Sequence, residues 1–91
     1  MRVDELVGTV VVGAGAQVIG EVCDIQFDEK TMNLTGICIK LNENVLESMR
    51  MKKPRFGSVR VDIPIEVIKV IGDVVSLDKT AQDLGPIAKR R

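Results

Sequence analysis

Short runs of branched aliphatic residues, separated by polar or glycine-containing turns, constrain the fold of this chain most strongly. Val, Ile and Thr favour strands because their branched side chains pack well on a pleated surface. The expected strands are residues 9–12, 18–27, 34–42 and 58–63, with two more within residues 70–77. A single open sheet would leave its edges and one apolar face uncovered. We therefore predict an all-β fold, built as a small barrel or sandwich of six strands.

The second and third strands predict a hairpin with a defined register. Residues 28–33 are polar and turn-forming, and they separate two runs of strand-forming residues. The expected register pairs Phe27 with Leu34, Cys23 with Cys38, and Glu21 with Lys40. Opposite charges that face each other across two strands are mildly stabilising, which supports this register. Gly20 interrupts the alternation of the second strand, so we predict a bulge or bend in its first half.

The remaining connections are short. Residues 45–51 and 65–69 each predict one helical turn. Gly72-Asp73 predicts a tight hairpin turn with positive φ angles. After residue 78 the periodicity weakens and the chain ends in Lys89-Arg90-Arg91, so we divide it into a domain at residues 1–78 and a flexible or partly helical basic tail at residues 79–91.

The composition excludes much chemistry. The chain has no His, so a Ser-His or Cys-His nucleophile pair is impossible and the common nitrogen ligand of zinc is missing. Cys23 and Cys38 do not have metal-ligand spacing and are interpreted as small buried apolar residues. Gly13 and Gly15 follow a strand as in a dinucleotide-binding fingerprint, but the third glycine is absent and a strand-forming run follows. We expect no enzymatic activity, no metal and no cofactor.

Charge is unevenly distributed along the chain. Residues 1–48 hold eight acids and three bases, whereas residues 49–91 hold five acids and ten bases. This polarity would allow copies of the chain to dock head to tail, or one copy to dock on an acidic partner. Neither a signal-peptide profile nor an apolar run of spanning length is present, so we expect a cytoplasmic protein without direct membrane insertion.

The order of these elements resembles the PRC-barrel domains, over residues 6–78. The segments that carry the resemblance are Leu6-Val7-Gly8, Val18-Ile19-Gly20-Glu21-Val22 with Asp24 and Asp28, residues 34–40, and Ile63-Pro64-Ile65-Glu66-Val67 leading to Ile71-Gly72-Asp73. The chain is most similar to the stand-alone archaeal members, some of which are cell-division proteins that associate with one another and with SepF. The resemblance implies a six-stranded barrel that works through protein contacts without catalysis.

The same resemblance implies a partner and a location. The expected partners are other PRC-barrel proteins and a SepF-type division protein, in a homodimer or hetero-oligomer. We accordingly expect a self-associating adaptor that reaches the division site through a membrane-anchored partner. The alternative is an RNA-processing or ribosome-maturation factor, by analogy with RimM, whose PRC-barrel binds a ribosomal protein.

The connection between the third and fourth strands contains the candidate partner-binding residues. We call residues 49–60 the basic segment, because it holds five bases and no acid. The candidates are Met49, Arg50, Met51, Lys52, Lys53, Arg55, Phe56 and Arg60. They suit an acidic partner surface or phosphate, or else form a solvated loop over the barrel mouth. Nucleic acid is disfavoured, since stacking residues are scarce and the pI is about 6.2.

Two further groups of residues leave their alternatives open. The tail from Leu84 onward is either a short docking peptide or a solvated end. Asp24, Asp28 and Glu29 lie close in sequence and could share a cation, but the usual calcium-loop spacing is absent. Turn formation and solubility explain these three carboxylates more simply.

Overall fold

Seven strands and four short helical segments make up the structure, a computed structural model that describes residues 3–91, with side chains from Glu5 onward. Met1 and Arg2, the first residues of the predicted domain, lie outside the described residues. The strands are β1 (Val10–Val12), β2 (Val18–Phe27), β3 (Leu34–Leu41), β4 (Arg60–Pro64), β5 (Ile68–Ile71), β6 (Val75–Leu77) and β7 (Lys89–Arg90). The α-helices are α1 (Val3–Leu6), α2 (Glu43–Leu46) and α3 (Ala81–Leu84), and Ile65–Val67 forms a 3-10 turn. The predicted all-β class is broadly confirmed.

All seven strands belong to one curled sheet in the order β5-β6-β1-β2-β3-β4-β7. Neighbouring strands are antiparallel, except that β1 and β6 run parallel. Within residues 3–91, β5 and β7 remain at the two edges. The expected six-stranded barrel is therefore a seven-stranded half-barrel, and the extra strand is β7, which pairs with β4.

One face of the sheet supplies most of the core. Its side chains alternate with outward-facing residues along each strand, as the period of a strand requires. The core residues that are at most 1% exposed are Val11, Ile19, Val22, Ile37, Ile39, Val45, Val61, Ile63, Val75 and Leu84. All are aliphatic, so the core is held by apolar burial and close packing.

The predicted β2–β3 register is confirmed at both ends and shifted in between. Phe27 pairs with Leu34 and Glu21 with Lys40, whose side chains lie 3.9 Å apart (Nζ to Oε1). A bulge at Cys23, however, pairs Cys38 with Asp24. The extra residue lets Ile25 face Ile37 across the strands, whereas an unbroken register would turn it to the other face.

The predicted turns are confirmed except for one. Residues 13–17 join β1 to β2, and the Gly13 N–H donates to the Gln17 carbonyl at 2.8 Å. A second bulge lies in the first half of β2, as expected. Helical turns occur at α2 and at Ile65–Val67 as expected. The predicted positive φ angles at Gly72-Asp73 are wrong, because three residues make the bend and none has φ in the left-handed region.

The segment after Asp78 contains the short helix α3 and packs against the sheet. Thr80 caps α3 by accepting the Asp83 N–H at 3.2 Å, and Ala81 and Leu84 are buried. The chain then returns as β7 beside β4. The predicted division of the chain at residue 78 stays a prediction, while the packed structure continues beyond it.

Candidate partner-binding surface

The basic segment is fixed to the core by its two methionines. Met49 is only 3% exposed and Met51 is half-buried against the core cluster. The Met49 and Met51 N–H groups donate to the carbonyls of Val45 and Leu46, at 3.0 and 2.9 Å. Arg50 lies between them with a φ of +58°, which reverses the chain. The Met49 side chain is therefore an anchor of the segment in the core, and its place in the contact surface stays a prediction.

The outer part of the basic segment projects into solvent. Lys52, Lys53 and Arg55 are exposed, and Phe56 is 86% exposed, the largest value among the exposed apolar side chains described. Lys53 Nζ lies 3.2 Å from Glu43 Oε2, but such an exposed pair contributes little to stability. We call these four residues the basic tip. They form the part of the predicted site in which cations and an aromatic ring remain accessible together.

The other two predicted cations lie elsewhere. Arg60 stands on the outer face of β4, directly across from Lys40 on β3. Arg50 lines an open groove of about 820 Å³ between the turn after α2 and the end of α3. The groove is lined by Glu47, Ser48, Met49, Arg50, Gln82, Gly85 and Pro86. Sequence reasoning missed it because the tail supplies one of its walls.

Residues 28–33 join β2 to β3, and we call them the acidic turn because they contain Asp28 and Glu29. Asp28 Oδ1 accepts the N–H groups of Lys30 and Thr31, at 2.8 and 3.3 Å, so this carboxylate shapes the turn. Met32 is 72% exposed with a φ of +61°, and Phe27 is 39% exposed. Among the described residues, no three His, Cys, Asp or Glu side chains are arranged to hold a metal ion.

Arg91 forms a clamp that sequence reasoning did not find. Its Nε donates to Asp62 Oδ1 at 2.9 Å, and its Nη1 donates to Asp24 Oδ2 at 3.0 Å. The clamp thus joins the end of the chain to β2 and β4. The N–H of Ile25 and, after it, the Arg91 guanidinium hold the pKa of Asp24 below its ordinary value.

Removing the clamp is expected to raise the pKa of Asp24 in the Arg91→Ala variant. The rise is partial, because the Ile25 N–H still favours the carboxylate. Since the folded pKa is depressed, the stabilisation by this group is present above its unfolded pKa and is lost as pH falls through the folded value. NMR titration of the Asp24 carboxyl carbon measures the shift. Arg90→Ala is the control, and equal Asp24 titration curves for both variants would contradict the assignment.

None of the helices within residues 3–91 has both the length and the apolar character needed to cross a membrane. A search of curated proteins gives no significant match. The family profile described as the PRC-barrel domain matches residues 1–84, which is nearly the whole chain. The matched region includes the β2–β3 hairpin, the basic segment and α3. The chain therefore belongs to the PRC-barrel domain family.

Proposed function

We propose that this chain is a non-enzymatic assembly module, a self-associating adaptor in an archaeal cell-division complex. Domains of this family are often protein-interaction modules, which supports the general class. The observation that carries the proposal is the basic tip, where Phe56 stands exposed among Lys52, Lys53 and Arg55. An aromatic side chain surrounded by cations suits a protein contact, since aromatic residues and Arg are enriched at interfaces.

The positions of the basic tip and the acidic turn favour a head-to-tail contact between copies of the chain. The basic tip lies after α2 in the connection from the end of β3 to the start of β4, and the acidic turn with Met32 precedes the start of β3. Eight strand residues at about 3.3 Å each separate the two ends of β3 by about 26 Å. Asp28, Glu29 and the exposed Met32 at one end thus complement the charges and Phe56 at the other. Contacts of this kind join unlike surfaces and produce rings or filaments of copies.

The partner classes follow from the resemblance to archaeal members of the family. They are other PRC-barrel proteins and a SepF-type division protein, which would bring the assembly to the membrane. The proposed absence of catalysis rests on the lack of His in the sequence. In this proposal the chain acts in the cytoplasm, and its membrane attachment is indirect.

A ribosome- or RNA-associated role is the second candidate. It is favoured by one observation, since no described acidic side chain lies within 4 Å of the Lys52 or Arg55 cation. Phe56 beside these cations could stack a base of single-stranded RNA. The two candidates use the same residues, so the experiment must measure both kinds of binding.

Reversing charge at the basic tip is expected to slow self-association. In the triple variant Lys52→Glu, Lys53→Glu and Arg55→Glu, loss of electrostatic steering should lower the association rate about tenfold or more at low salt. The salt dependence of that rate should also weaken. Light scattering gives the mass of the assembly, and stopped-flow mixing of labelled protein gives the rate.

The matched control reverses three exposed cations outside the tip, Lys69, Lys89 and Arg90, which changes the net charge equally. It should associate like the wild type. A wild-type mass of one chain at all concentrations would refute self-association. Tight, salt-sensitive binding of a single-stranded RNA oligonucleotide by the wild type, lost in the tip variant alone, would favour the RNA candidate.

A further inference from the structure

The bulge at Cys23 in β2 places Cys23 and Cys38 in contact on the outer face of the sheet. The Cys23 thiol donates to Cys38 Sγ at a distance of 3.0 Å. Cys38 alternates with the inward-facing Ile37 and Ile39 and shares its face with Lys40, so it points away from the core. Although Cys38 is fully buried, it does not belong to the aliphatic core cluster. The sequence-based interpretation as small buried apolar residues thus agrees with the burial of Cys38, whereas Cys23 is only half-buried.

The cover over Cys38 comes from neighbouring strands and from the end of the chain. Asp24 and Asp62 pair with Cys38 across the strands on either side, and Arg91 bridges the two carboxylates. Cys23 is only half-buried. A reagent in solution therefore meets Cys23 first, while Cys38 is accessible to Cys23 alone. This is the arrangement of an attacking thiol and a buried resolving thiol.

We propose that Cys23 and Cys38 form a dithiol site that low-molecular-weight disulfides oxidise to an intramolecular disulfide between β2 and β3. The Cys23 thiolate attacks the reagent R–S–S–R, forming a Cys23–S–S–R mixed disulfide and releasing one R–S⁻. The Cys38 thiolate then attacks the Cys23 sulfur and releases the second R–S⁻. The two cysteines together lose two electrons and two protons, and the reagent is reduced to two thiols.

Geometry and electrostatics define the two steps. The sulfur atoms need to approach by only about 1 Å, since a disulfide bond is about 2.0 Å long. Burial and the Cys23 contact raise the pKa of the Cys38 thiol to about 12. Thiolate is the reactive form, so burial of Cys38 slows its attack near neutral pH. The charged groups around Cys38 are Asp24, Asp62 and Arg91, and the Arg91 cation opposes the rise in pKa.

The test treats the reduced full-length protein with oxidised glutathione and follows its intact mass. The wild type should lose two hydrogen atoms and both alkylatable thiols, and should keep no lasting glutathione adduct. It should also unfold at a higher temperature, because the cross-link restricts the unfolded chain. A dithiol reductant should restore the original mass and unfolding temperature. Electrophoresis without reductant must show a single chain.

Two variants separate the roles of the cysteines. Cys38→Ala should retain one glutathione on Cys23, since no second thiol can displace it. Cys23→Ala should remain unmodified while folded, since Cys38 is covered. A wild-type protein that stays unmodified, or that retains a stable glutathione adduct, would overturn the proposal without any variant. Modification of Cys38 in folded Cys23→Ala would overturn the assigned order of attack.

Discussion

Alanine in place of Gly20 is expected to lower the free energy of unfolding by about 3 kcal/mol or more. Gly20 is buried in β2 and pairs with Val11 of β1 and Leu41 of β3. A Cβ atom there would collide with the backbone carbonyl of Lys40 and would also press on Ile39 Cγ2 at 3.1 Å. Backbone atoms held on both sides by strand pairing cannot move away cheaply. The methyl group therefore disrupts the centre of the sheet.

Gly72→Ala provides the matched control for this prediction. Gly72 is exposed, its φ lies outside the left-handed region, and a Cβ atom there would have its nearest neighbour, the Val74 carbonyl oxygen, at 4.0 Å. Its effect should stay within about 0.5 kcal/mol. Urea unfolding of both variants and the wild type measures the difference. Equal midpoints for all three proteins would contradict the proposed collision at Gly20.

The second large effect is expected at Leu84. This side chain is fully buried in the core cluster. Leu84→Ala should therefore cost about 2–5 kcal/mol through lost burial and the cavity left behind. A chain that ends after Asp78 should be destabilised further, because it also lacks β7 and leaves the edge of β4 without its partner strand. Thermal unfolding followed by circular dichroism compares the three proteins.

Gln82→Ala is the control for Leu84, since Gln82 lies on the same short helix with its side chain exposed. Alanine is a good helix former, so the change should be within about 0.5 kcal/mol. A chain of residues 1–78 that unfolds at the wild-type temperature would establish the predicted division of the chain. It would also show that the buried contacts of α3 contribute little to stability.

Local patterns allowed much of the sheet to be predicted. Alternating apolar residues defined β3 and β4, a run of strand-forming residues between two turns defined β2, and the Glu21–Lys40 pair supported the register that is found at both ends of the hairpin. Gly20 lies in a segment that carries the resemblance to the PRC-barrel family, and the close approach of the Lys40 carbonyl explains why glycine suits this position. These features depend on residues that are near one another in sequence or directly paired.

The remaining features depend on contacts that carry no local signal. β7 has only two residues, both charged, and it exists because β4 offers it an edge. Arg91 reaches Asp24 and Asp62 across 67 and 29 positions of the chain, so neither contact could be recognised from spacing. The cations of the basic segment were identified from composition. The approach of the tail to Met49, seen in the contact of Gly85 with the Met49 backbone, was not predicted from the sequence.

The parallel pairing of β1 with β6 has a consequence for synthesis of the chain. β1 lies inside the sheet between β2 and β6, yet Val75 and Ser76, its partners on β6, come from the opposite half of the sequence. During translation the β1–β2 hairpin emerges early and waits with an open hydrogen-bonding edge, which is a surface prone to mispairing. Only after β6 leaves the ribosome can the sheet close over this edge. A nascent chain stalled before residue 75 should therefore depend on chaperones more strongly than the full-length protein does.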